Sequence, residues 1–142
     1  MLVYYHKEIK KGIYNMNDIK ATVSETVTEQ NTAISVGSGS LAVYATPAML
    51  ALIEKAACEA IAPLLSEGET TVGTLLNVKH LAATPVGMAV SATAELVERD
   101  GRKFVFAVTA SDECGIIGEG THERFAVYSE RFTEKTYAKL NK

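Results

Sequence analysis

The sequence predicts one α+β domain in which an antiparallel sheet curls around a single long helix. Residues 47–65 read as a helix that is apolar over nearly its whole circumference, and β-branched, alternating runs stand before and after it. Strand and helix signals do not alternate along the chain, as a parallel sheet would require. With 142 residues, 47% of them hydrophobic and 22% charged, the chain supports one core and not two.

Residues 1–17 mix Lys, Gly, Asn and Tyr without period, and Met16 offers an internal start. They are expected to be an N-terminal extension, either an extra strand or a dispensable arm, ahead of a single domain over 18–142. Residues 21–29 carry β-branched side chains at alternate positions and read as a half-exposed strand. A loop containing Gly37-Ser38-Gly39-Ser40 follows. Thr46 is the expected N-cap of the long helix, and Pro47 takes the first helical position, where a missing N–H costs nothing. Met49, Leu52, Ile53, Ala56, Ala60 and Leu64 fall on one stripe, while Lys55, Glu59 and Ser66 gather on another side. Such a helix needs a sheet around it. Strands are expected at 70–82, 88–98, 103–111 and 117–128, in an antiparallel meander, with Asp100-Gly101 as a hairpin turn.

Lys plus Arg total 14 and Asp plus Glu 17, a net charge of −3, so no basic excess is present to hold a nucleic-acid backbone. No window approaches the roughly 20 apolar residues that span a bilayer, and the N-terminus has no signal-like apolar run. A cytoplasmic protein without a membrane partner is expected. Cys58 and Cys114 show neither disulfide nor zinc spacing and are expected to be small buried hydrophobes. No P-loop, dinucleotide fingerprint, HExxH or GxSxG motif occurs, and no metal site is expected.

Glu54 asks for an explanation, because it projects among Leu50, Cys58, Ile61 and Leu65, and burying an ionised carboxylate costs several kcal/mol unless it is compensated. Either it pairs with a basic neighbour such as Lys79, or it works in a partly dry cleft as nucleophile or general base. Strict alternation from Thr70 puts Val72, Thr74, Leu76, Val78 and His80 on one strand face and Gly73, Leu75, Asn77 and Lys79 on the other. His80 thus ends the apolar face, as a core histidine or as a base brought to Glu54 by a strand flanking the helix. Gly73 interrupts a strong strand and marks a bulge or a close backbone approach to another group. Gly118 and Gly120 suggest a bulge at a bend, and His122, which alternates with Gly120 and Arg124, reads as structural.

Ala45-Thr46-Pro47, the Glu54 helix, Thr71-Val72-Gly73-Thr74, the run Val78 to Gly87 and Gly118-Glu119-Gly120-Thr121-His122-Glu123-Arg124 together resemble the hotdog-fold thioesterases, most closely the fluoroacetyl-CoA thioesterase group. The resemblance covers residues 21–132. Thr46 stands eight residues before Glu54, and Glu54 stands 26 before His80, the spacing of that group's Thr-Glu-His triad. It implies that Glu54 attacks the thioester carbonyl or activates water, that His80 is the base, and that Thr46 orients the carboxylate. It further implies that the Gly73 N–H faces the thioester oxygen, that Arg124 lies near the ligand, and that subunits pair as at least a homodimer around an interfacial site. Coenzyme A would enter as part of an acyl-CoA substrate, with no separate cofactor, and Lys79, Arg102, Lys103 and Arg124 are the cations available to its phosphates.

The phenylalanine lid of the fluoroacetyl enzyme is absent before Thr46, where Gly37-Ser38-Gly39-Ser40-Leu41 stands and only Leu41 and Tyr44 are bulky. The expected activity is therefore hydrolysis of a short or medium acyl-CoA. A non-catalytic acyl-CoA or acyl-carrier binding module and a hotdog-fold hydratase or dehydratase are the alternatives.

Overall fold

The computed structural model describes residues 18–142; the expected extension over residues 1–17 lies outside them. Strand β1 (Lys20–Thr26) leads through a short helix α1 (Ala33–Val36) to the long helix α2 (Thr46–Ile61), which ends in a 3-10 turn (Ala62–Leu64). Four long strands follow, β2 (Glu69–His80), β3 (Ala89–Asp100), β4 (Lys103–Asp112) and β5 (Gly115–Tyr128), and then helix α3 (Ser129–Tyr137). All strand pairs are antiparallel, in the order β1-β3-β4-β5-β2. This is the expected α+β architecture, a five-stranded sheet around one helix.

Periodicity explains α2. Met49, Leu52, Ile53, Ala56, Ala57, Ala60 and Ile61 are buried, while Lys55 and Glu59 face solvent. The alanines let the sheet close tightly over the helix, and Leu96, Phe104, Phe106, Val90 and Val108 fill the space on the strand side. Each fully buried side chain of this kind contributes about 1.5–3 kcal/mol.

The expected meander holds for β3, β4 and β5, but β2 lies beyond β5 at the far edge and does not touch β3 in the ladder. Periodicity reports which face of a strand is apolar and carries no information on its neighbour. Gly101, at φ 62°, closes the β3–β4 hairpin where Asp100-Gly101 predicts it. Helix α1 interrupts the stretch expected to be a loop, its N-terminus capped by Thr32 Oγ1 accepting from Ser35 N, and α3 follows the last expected strand in a stretch that the sequence pattern leaves unassigned. Both cysteines are exposed, contrary to expectation. Cys58 falls next to Glu59 on the solvent side of α2, and Cys114 sits in the β4–β5 turn.

Candidate active site

Thr46 is not the cap of α2. Ala45 occupies that position in extended conformation without a side-chain bond, and Thr46 is the first helical residue. Its hydroxyl is thereby available to another partner, and Oγ1 lies 2.7 Å from Nδ1 of His80 at the end of β2. The segment before it is tied down by backbone bonds from Tyr44 N to Thr84 O and from Ala45 N to Asn31 O, each 2.9 Å. The buried Tyr44 donates its hydroxyl to Glu25 Oε2 at 2.5 Å, and burial followed by this bond pushes its pKa far up, so it stays protonated.

Nε2 of His80 is buried and has no hydrogen-bond partner among the described residues. Buried polar atoms are satisfied by protein or ordered water in the great majority of cases, so this nitrogen is open to a water or a bound group. Burial also depresses the pKa of His80 below the ordinary histidine value, more than the nearby Ala82 backbone raises it. The ring is therefore neutral near pH 7. Beside it opens a cavity of about 300 Å³ lined by Thr46, His80, Tyr44, Val43 and small side chains, including Ala33 and Ala82.

Glu54 sits farther along α2, eight residues from Thr46, or about 12 Å of helix axis. Its Oε2 accepts from NH1 of Arg124 at 3.1 Å, with the Glu54 side chain 40% exposed and the Arg124 side chain 7%. Arg124, not the anticipated Lys79, is its basic partner. The guanidinium is held on its other edge by Thr71, donating from Nε to Oγ1 at 2.8 Å and from NH2 to the carbonyl at 3.1 Å. NH1 also lies 3.2 Å from Nε2 of His122, a residue with no exposed surface.

Gly73 stands directly across from Arg124 in the β2–β5 ladder. A Cβ there would run into Glu54 Oε2, so the bare backbone is what admits the carboxylate. The register shifts between Gly73 and Leu75, leaving Thr74 as the extra residue of a bulge. That shift overturns the strict alternation of β2. Thr71 and Gly73 face α2 before the bulge, and Val78 and His80 face it afterwards. The bulge expected around Gly118 and Gly120 lies beside Gly118, where the β4–β5 register shifts and Ile117 is the extra residue. In addition, a Cβ at Gly118 would meet Met49 Sδ at 2.7 Å, and one at Gly120 the β2 backbone around Asn77.

The five candidate residues thus fall into two groups within the chain. Thr46 and His80 are joined by a hydrogen bond; Glu54, Gly73 and Arg124 cluster around the bulge; no hydrogen bond links Glu54 to His80 among the described residues. Sequence reasoning missed Thr71 and His122 as members of the second group. The alternation of His122 with Arg124 on β5 was the available signal. Of the other cations considered, Lys103 pairs loosely with Glu123 at 3.8 Å, and Arg102 lies over the Phe125 ring, 5.0 Å from its centre.

Residues 27–130 match the fluoroacetyl-CoA-specific thioesterase family. The chain belongs to this family. A fluoroacetyl-CoA thioesterase from Streptantibioticus cattleyicolor is 44% identical over 97 residues, 68% of this chain and 70% of that protein. Among solved structures, a fluoroacetyl-CoA thioesterase superposes with a TM-score of 0.81 at 36% identity, covering 84% of this chain and 93% of its own. A thioesterase superfamily member from Thermus thermophilus gives 0.77 at 29% identity, covering 86% and 90%. The curled sheet around α2 is accordingly the hotdog fold, and the thioesterase carries its candidate residues on α2, β2 and β5. Among its described residues no helix is long and apolar enough to cross a membrane.

Proposed function

We propose that this thioesterase hydrolyses the thioester of an acyl-CoA, releasing the free acid and coenzyme A. The observation that carries the proposal is the Glu54 carboxylate held by Arg124 over the bare backbone of Gly73. Related fluoroacetyl-CoA thioesterase variants have been solved in complex with acetyl-CoA, and with fluoroacetate and CoA, which supports a CoA thioester as the substrate class.

A thioester carbonyl gains negative charge as it is attacked, so the site needs an oxygen donor, an oxyanion partner and a proton for the departing thiolate. Arg124 holds Oε2 of Glu54. Oε1 is left to deliver the oxygen, either its own or that of a water that it orients and His80 deprotonates. The Gly73 N–H faces the developing oxyanion. Neutral His80, oriented by Thr46, works as the base and returns the proton to the sulfur of coenzyme A. Water supplies the second oxygen of the acid, and no metal or separate cofactor takes part.

We assign the missing contact between the two groups to a homodimer, with Thr46 and His80 of one protomer meeting the Glu54 group of its partner. A twelve-residue edge strand, β2, with Leu75 and Leu76 exposed, supports this, since long apolar edges are normally covered. Free-thiol release from a panel of acyl-CoAs tests the reading. Wild type turns over at least one member, and Glu54→Ala and His80→Ala each lose about 10²-fold or more in kcat with the fold intact. Tight acyl-CoA binding without thiol release by the wild type would refute hydrolysis and leave a binding module.

A further inference from the structure

His122 is fully buried on β5, yet the mechanism above gives it no task. Its ring stacks against Phe106, with ring centres 6.2 Å apart, so it cannot swing out to solvent without opening the core. Both ring nitrogens are engaged: Nδ1 lies 2.8 Å from the Leu75 carbonyl at the bulge, and Nε2 lies 3.2 Å from Arg124 NH1. A carbonyl only accepts and a guanidinium only donates. Nδ1 must therefore carry the proton, and Nε2 must present a lone pair to Arg124, which defines one neutral tautomer.

NH1 of Arg124 has two hydrogens. One goes to Glu54 Oε2 and the other to His122 Nε2. With Thr71 taking Nε and NH2, the guanidinium is fixed along its whole accessible edge, and its plane is set by acceptors on β2 and β5. We propose that His122 is a positioning residue: as a neutral Nδ1–H imidazole it accepts from Arg124 and so aims that guanidinium at Glu54, while its own N–H locks the Leu75 carbonyl that forms the bulge beside Gly73. This rests on the assignment of Glu54 to the reaction. The charged groups facing the ring are Arg124 on the same strand, Glu54 on α2 and Glu123 on β5. Burial first, and the Arg124 charge against the two carboxylates and the Leu75 carbonyl, hold its pKa below the ordinary histidine value, consistent with a ring that stays neutral.

Two readouts test the proposal. Long-range proton–nitrogen NMR on histidine-labelled wild type needs no variant and no turnover: His122, assigned by comparison with His122→Gln, shows an Nδ1–H tautomer that does not titrate between about pH 6 and 8. An Nε2–H tautomer, or titration near the free histidine value, overturns it. In the same samples the Arg124 guanidinium protons are in slow rotation in wild type, averaged in His122→Phe and restored in His122→Gln, which keeps an acceptor; unchanged rotation in His122→Phe overturns it. In thiol release, His122→Phe lowers kcat roughly tenfold to a hundredfold with KM little changed, and His122→Gln recovers most of the loss. Wild type that is active, with His122→Phe equally active and folded, defeats the positioning role alone. Wild type that is inactive defeats the hydrolytic assignment, and the two NMR readouts then decide the geometry. Should His122→Phe not fold, His122→Gln and the wild-type tautomer carry the decision.

Discussion

Gly73→Ala separates the site from the fold. Gly73 is not among the glycines with positive φ, so alanine meets no backbone strain there. The added Cβ would collide with Glu54 Oε2 and crowd Arg124 NH1 at 3.2 Å and His122 Cε1 at 3.3 Å. Arg124 and His122 are buried and hydrogen-bonded, whereas the Glu54 carboxylate is the far end of a flexible, 40% exposed side chain, so Glu54 is what yields. Restoring an ordinary contact of about 3.5 Å requires it to move by roughly 1 Å. A misplacement of that size costs about 10²-fold in rate, or about 2.7 kcal/mol of transition-state stabilisation. The folded state loses much less, because a pair with one exposed partner is worth at most about 1 kcal/mol, a shift of about 4 °C or less in Tm. Thiol release and a thermal melt on the same preparation measure both. Wild-type kcat in folded Gly73→Ala would refute the packing argument, and a Tm loss well beyond a few degrees would show that the glycine serves the sheet instead.

Two further outcomes follow from the same geometry. Because burial lowers the pKa of His80, its neutral form persists to pH values below the usual histidine range; kcat should be level through neutrality and fall only as pH drops below about 6.5. An acid limb centred above that value would exclude His80 as the base. Mixing Glu54→Ala with His80→Ala under exchange of subunits should recover up to about a quarter of wild-type activity if each site draws on both protomers, since every heterodimer then holds one intact site. A site built within one chain recovers nothing, because every copy keeps one defect.

Much of this was legible in the residues themselves. The span of α2 follows from a helical period of apolar residues and a proline at its start, and the β3–β4 hairpin from Asp100-Gly101. Glu54 stands out because a carboxylate has no reason to sit among apolar neighbours, Gly73 because it breaks a strand, and Thr46 and His80 because their spacing resembles that of a known triad. Periodicity reports the local face that each residue presents, and composition reports what that face prefers to touch.

The partners were decided by the tertiary structure. Arg124 reaches Glu54 across 70 residues of chain because β2 pairs with β5 at the sheet edge and not with β3, its neighbour in sequence. One extra residue at Thr74 then inverts the phase of β2, so that Gly73 and His80, which strict alternation assigns to opposite faces, both look toward α2. The same pairing encloses His122 and turns an unremarkable strand histidine into an acceptor for Arg124. Strand order and a one-residue slip are set by which edges bury the most surface once the whole chain has collapsed, and that sum is not written in any single segment.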